Sequence, residues 1–103
     1  MNYCPTVDVI IPCYNVEHIV EKCVNSIIAQ KYGNTVKIYL INDGSTDNTA
    51  NILESFAKNA TVSVIHHEQN KGLSKARNSG IKTGNGEVIC FLDSDMVVKQ
   101  NWI

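Results

Sequence analysis

The sequence predicts an α/β domain, an open, mostly parallel sheet with helices on both faces, in the order βαβαβαβ. Three observations predict it. Four short apolar runs rich in β-branched residues recur along the chain. Three segments with helical periodicity separate them. Polar, turn-forming clusters follow each run directly. Strands alternating with helices imply a parallel sheet covered by its crossover helices.

The first run, Val7 to Pro12, is apolar apart from Asp8 and ends near a proline, as a buried strand does. Ile19, Val20, Cys23, Val24, Ile27 and Ile28 then recur at helical spacing, with Asn15 as the expected N-cap. Gly33-Asn34 ends that helix. Val36 to Ile41 is the second strand. Asn42 to Asp47 is a turn. Asp43-Gly44 there does not make a hairpin, because no alternating strand follows. Ala50, Leu53, Phe56 and Ala57 mark a second helix, capped by Ser45, Thr46 or Asp47. Val62 to Ile65 is the third strand. Leu73, Ala76, Gly80 and Ile81 mark a third helix, stopped by Gly84 and Gly86. Val88 to Leu92 is the fourth strand, and Asp93-Ser94-Asp95 follows at once.

A length of 103 residues allows one domain. The net charge of −1 argues against a general nucleic-acid surface, although Lys71, Lys75, Arg77 and Lys82 are close enough to meet one small anion. Cys4, Cys13, Cys23 and Cys90 have neither CxxC nor finger-like spacing. Reduced cysteines and a cytoplasmic setting are expected, with the inner face of the membrane as the alternative place of work. No apolar stretch is long enough to cross a bilayer.

In open parallel sheets, ligands sit beyond the C-terminal ends of the strands. Here those ends carry Pro12-Cys13-Tyr14-Asn15, Asn42-Asp43-Gly44-Ser45, Glu68-Gln69-Asn70-Lys71-Gly72 and Asp93-Ser94-Asp95. The pair Asp93 and Asp95 flanks a small residue straight after a buried strand. Hard cations such as Mg2+ and Mn2+ take oxygen ligands, and Mg2+ is held by one or two carboxylates plus phosphates and water. The plainer reading of this triplet is a polar strand end that caps a turn. Asp43 either serves its turn or accepts a hydrogen bond from the ring N–H of a uracil. Arg77 lies on the apolar stripe of the third helix, so it either snorkels or points at a nucleotide. Tyr14 either stacks on a base or packs at the sheet edge. His66 and His67 are neighbours on one strand and point to opposite faces, so they are read as structural or solvent-facing.

Other nucleotide signatures are absent. No G-x-G-x-x-G follows the first strand and no G-K-[ST] occurs, so neither a dinucleotide fingerprint nor a P-loop is present. A related nucleotidyltransferase would open with a glycine-rich loop, which is also missing. Phosphates must therefore be bound through a metal or through side chains.

Five stretches together resemble the family 2 glycosyltransferases. They are Val9-Ile10-Ile11-Pro12-Cys13-Tyr14-Asn15, Ser26-Ile27-Ile28-Ala29-Gln30, Ile41-Asn42-Asp43-Gly44-Ser45-Thr46-Asp47, Asn70 through Gly80, and Gly86 through Asp95. The resemblance implies the GT-A fold, with residues 1–103 as the nucleotide-sugar-binding part of a glycosyltransferase domain. It places Pro12 and Tyr14 at the base pocket, Asp43 on the base, Arg77 near the base or diphosphate, and Asp93 with Ser94 near the ribose. Asp95, helped by Asp93, would hold Mn2+ or Mg2+. The donor implied is a nucleoside diphosphate sugar, most simply a UDP-sugar, and the acceptor a glycan or glycolipid of polysaccharide biosynthesis. Transfer would be an inverting displacement, its general base falling beyond residue 103, so that this chain alone transfers little. A non-catalytic remnant of the same fold is the alternative. Asn42 and Met96 stand where many members have Asp, which touches secondary metal contacts and leaves Asp95 in place.

Overall fold

The structure is a computed structural model that describes residues 3–103. Four strands, β1 (Val7–Cys13), β2 (Val36–Asp43), β3 (Val62–His67) and β4 (Val88–Phe91), alternate with α1 (Val20–Ile28), α2 (Thr49–Phe56) and α3 (Leu73–Thr83). All pairings are parallel, in the spatial order β3-β2-β1-β4. β2 and β3 each run two residues past the last apolar position that marked them, which carries Asn42-Asp43 and His66-His67 into the ladder.

Strand alternation divides the core into two layers. Val7, Val9, Ile11 and Cys13 of β1, with Ile38 and Leu40 of β2, pack against Val20, Cys23, Val24 and Ile27 of α1 and Leu53 of α2. On the other face Ile10, Tyr39 and Ile41 meet Ala76 of α3. Thus α1 and α2 cover one face and α3 the other. The winding reverses between β1 and β4, since α3 carries the chain from β3 back across the sheet to β4. That reversal is the topological switch point at which open α/β sheets place their ligands.

The sequence misjudged two details of helix packing. Leu73 and Ile81 are exposed, while Ala76 and Gly80 are buried. A Cβ on Gly80 would lie 2.6 Å from Cγ2 of Ile10, so α3 sits too close to β1 for larger side chains on its inner face. The expected cap of α1 is also displaced. Asn15 makes no capping bond to α1 and has φ 51°. Its Oδ1 instead accepts from the backbone N–H groups of Thr46 (2.8 Å) and Asp47 (3.3 Å) at the entrance to α2. Asp47 Oδ1 accepts from Thr49 N–H, the first residue of α2.

Candidate functional site

A pocket of about 340 Å³ opens at the switch point, beyond the C-terminal ends of the strands. Pro12, Tyr14, Asp43, Asp93 and Ser94 line it, so five residues selected from the sequence converge there. Arg77 stands beside this wall. Its Cζ lies 5.3 Å from the centroid of the Phe91 ring, and its guanidinium is 3.9 Å from Asp93 Oδ1. That separation is an ion pair and too long for a hydrogen bond. Arg77 Nε is buried with no hydrogen-bond partner among the described residues, so the guanidinium is incompletely satisfied at the edge of the pocket. Cys13, Val16, Asn70, Gly72, Leu73 and Ala76 complete the lining. Leu73, one of the apolar residues that mark the third helix, is a wall of the pocket.

The pocket is built from loops that are fastened to one another. Asn15 N–H donates to Ser45 Oγ and Val16 N–H to the fully buried Thr49 Oγ1, tying the loop after β1 to the loop after β2 and to the first residue of α2. Gly44 has φ 72°, and a Cβ there would lie 2.4 Å from the backbone N of Asn70. Only glycine fits this contact between the loops after β2 and β3.

Asp43 is the centre of that contact. It is 4% exposed. Its Oδ1 accepts from Lys71 N–H (2.9 Å) and from His67 Nδ1 (2.8 Å), and its Oδ2 accepts from Gly72 N–H (2.9 Å). Burial alone would raise its pKa, but the His67 bond and the two backbone N–H groups outweigh burial and hold the carboxyl below the ordinary carboxylate range. An ionised acceptor is therefore present on the pocket wall at neutral pH.

His67 was read as structural or solvent-facing. Its side chain is only 7% exposed, and it joins Asp43 to Ser79 Oγ of α3 (2.7 Å). His66 points the other way, to Asn42 Nδ2 (2.9 Å) and Glu54 of α2. The register pairs Asn42 with His66 and Asp43 with His67, so each pair shares one face of the sheet. This also accounts for Asn42. Its Oδ1 accepts from Ser45 N–H (3.1 Å), which leaves its amide to donate to His66, and an Asp could not donate there.

The acidic turn is held from α1. Met96 N–H donates to Asp93 O (3.0 Å), closing a turn over Asp93-Ser94-Asp95. The Cys23 thiol lies 3.6 Å from Asp93 O. Burial, then the charges of Asp95 and Asp93, push that thiol up to about 11, so Cys23 remains protonated. Burial pushes Cys13 up to about 12. Neither is a thiolate ligand at neutral pH. Ser26 Oγ accepts from Val98 N–H (3.2 Å), and Gln30 Nε2 donates to Lys99 O (2.6 Å), so two residues of the second motif fasten the segment after the acidic turn.

Among the described residues, no three His, Cys, Asp or Glu side chains form a group that could hold a metal ion alone. The two exposed carboxylates of the turn fit a hard divalent ion of the kind completed by phosphate oxygens and water. Among the described residues, the cysteines are free and no helix is long and apolar enough to cross a membrane. A second hollow of about 360 Å³, at the opposite edge, is lined by residues such as Ile27, Gln30, Asn34 and Thr61, and carries no carboxylate, ammonium or guanidinium group.

The parallel order, the switch point and the polar pocket above it define a doubly wound α/β unit with its ligand edge at the strand ends. Comparison with known proteins narrows the class. The sequence profile described as Glycosyl transferase family 2 matches residues 8–103, and the chain belongs to that family. It is 45% identical over 92 residues to the uncharacterized glycosyltransferase EpsJ of Bacillus subtilis, covering 88% of this chain and 26% of that protein. The fold resembles TarS of S. aureus in complex with UDP, with TM-score 0.85, 32% identity, and coverage of 93% of this chain and 29% of TarS. It also resembles the mannosyltransferase PcManGT from Pyrobaculum calidifontis in complex with GDP-Man and Mn2+, with TM-score 0.84, 25% identity, and coverage of 90% and 28%. These neighbours are GT-A glycosyltransferases, and the fold is GT-A. The chain thus spans less than a third of the length of each of these proteins.

Proposed function

We propose that this chain is the donor-binding part of a metal-assisted glycosyltransferase that uses a nucleoside diphosphate sugar, with UDP as the nucleotide. One observation carries the reading. Pro12, Tyr14, Asp43, Asp93 and Ser94, from three separate strand ends, line one pocket at the switch point, with Arg77 against Asp93. Pro12 and Tyr14 offer surfaces for the base. Asp43 offers an ionised acceptor for the uracil N–H, with one lone pair of Oδ2 taken by no donor among the described residues. Arg77 is a cation for the diphosphate, and Ser94 a hydroxyl beside Asp93. The complexes of TarS with UDP and of PcManGT with GDP-Man and Mn2+ support a nucleotide donor and a divalent ion for a chain of this fold.

Asp95 and Asp93 would hold Mn2+ or Mg2+. A bound ion would offset the charge that develops on the leaving nucleoside diphosphate. The chain's own residues orient the donor, with the Arg77 guanidinium as the cation for its diphosphate. The acceptor, a glycan or glycolipid hydroxyl, and the general base of an inverting displacement belong to parts of the protein outside these residues. The isolated chain is expected to bind donor nucleotide and to transfer little sugar. Free cysteines among the described residues support a reducing, cytoplasmic setting.

Calorimetric titration of UDP with and without Mn2+ tests this, using the wild type and Asp95→Ala. Mn2+ should tighten UDP binding by about tenfold or more, and the variant should lose that gain while keeping its fold. Equal metal dependence in the variant would refute the assignment of Asp95.

A further inference from the structure

We propose that His67 is a positioning residue for the donor site, holding the Asp43 carboxylate so that one lone pair of Oδ2 faces the occupant of the pocket. The proposal rests on the nucleotide reading of that pocket.

A carboxylate has about four lone-pair positions. At Asp43, Oδ1 receives two donors, His67 Nδ1 and Lys71 N–H, while Oδ2 receives one, Gly72 N–H. The free position is therefore on Oδ2. His67 is what fills Oδ1 from the sheet side, and both side chains are buried, at 7% and 6% exposure. Nδ1 faces the acceptor-only Asp43 carboxylate and so donates to it, while Nε2 lies 2.7 Å from Ser79 Oγ. Ser79 fixes the ring from α3, and its Oγ also lies 3.2 Å from Lys75 O. The chain Ser79–His67–Asp43 thus runs from α3 through β3 to the pocket wall.

A histidine buried only to fill space would be replaceable by an apolar side chain of like shape. Here that exchange would leave Oδ1 one donor short in a buried setting, where the missing bond is costly. The other ionisable groups around Asp43 are Lys71 in its own clamp, the protonated Cys13 at the end of β1, and the Asp93–Arg77 pair of the opposite wall. Lys71 reaches Asp43 through its backbone N–H. Among the described residues, no other side chain donates to the Asp43 carboxylate.

The test compares two side chains of nearly the same shape. Asn at position 67 places an amide donor where Nδ1 stands, and Leu places a methyl group there. Two quantities are read in the folded proteins: the midpoint of the Asp43 carboxyl titration, followed by its ¹³C shift without nucleotide, and the affinity for UDP with Mn2+. His67→Leu should raise the carboxyl midpoint by about one pH unit and weaken UDP about tenfold. His67→Asn should keep the midpoint within about 0.3 unit and UDP within about threefold. Equal effects of Leu and Asn on both readings would overturn the proposal and leave His67 a packing residue. If the Leu variant does not fold, His67→Gln replaces it, since Gln keeps the Ser79 contact and withdraws the donor from Asp43. Should the wild type bind no UDP, the nucleotide reading fails by itself, and the carboxyl titration still decides whether His67 sets Asp43.

Discussion

At Asp43, burial and hydrogen bonding pull in opposite directions, and hydrogen bonding prevails. The consequence is a pH dependence of known sign. Its folded-state pKa lies below the unfolded value, so the unfolded chain binds more protons across the interval between them. The stability that Asp43 contributes is fully present above the ordinary carboxylate value of about 3.9, and is lost as pH falls through the folded value. Urea unfolding of the wild type and Asp43→Asn from about pH 3 to about pH 7 measures this. The stability gap between the two should be constant above about pH 5 and shrink below about pH 4. A gap that widens on acidification would contradict the bonding described. The pocket's chemistry was legible at this scale wherever motif and strand end coincide, as at Asp43 and Asp93. His67 was not, because its role depends on a register, Asp43 opposite His67, that only the paired strands reveal. Asn15 was misassigned for a related reason. Nothing local distinguishes a side chain that caps its own helix from one that caps a neighbouring loop.

Among the elements, α3 is the least ordinary. Its inner face is made by Ala76 and Gly80, and its larger apolar residues Leu73 and Ile81 lie outside the core. The small inner face brings the helix against β1 and sets Arg77 beside Phe91 and Asp93. Gly80→Ala should therefore destabilise the chain by about 1–3 kcal/mol, as overpacking does. In an Ile10→Ala background the same change should cost at least about 0.5 kcal/mol less, because the clashing atoms are those of Ile10. A double-mutant cycle of unfolding free energies checks it. Additive costs would mean that Gly80 serves only backbone freedom. Periodicity predicted the existence and order of all seven elements, since each carries its own apolar pattern. It misjudged α3 because a close helix–sheet contact buries small residues, which a hydrophobic pattern undervalues. The strand ends were short for the opposite reason: Asn42-Asp43 and His66-His67 are polar, yet they continue the ladder.

For the whole molecule, the order β3-β2-β1-β4 explains why residues from distant motifs meet. The reversal between β1 and β4 opens the gap in which the loop after β1 faces the acidic turn, and α3 brings its N-terminal end to the same place. The alternation of elements alone implies this edge, and family membership agrees with it. Helix-to-loop fastening, such as Thr49 of α2 on Val16 and Ser26 of α1 on Val98, could not be foreseen, because each bond joins segments more than thirty residues apart. The central claim, that the donor nucleotide binds at the switch point, is tested most directly by ¹H–¹⁵N NMR of the chain titrated with UDP and Mg2+. The account predicts shift changes at backbone amides of Tyr14, Asp43, Gly72 and Ser94 and their neighbours, with the hollow around Gln30 and Thr61 unchanged. Changes centred on that opposite hollow, with the switch-point loops silent, would contradict it.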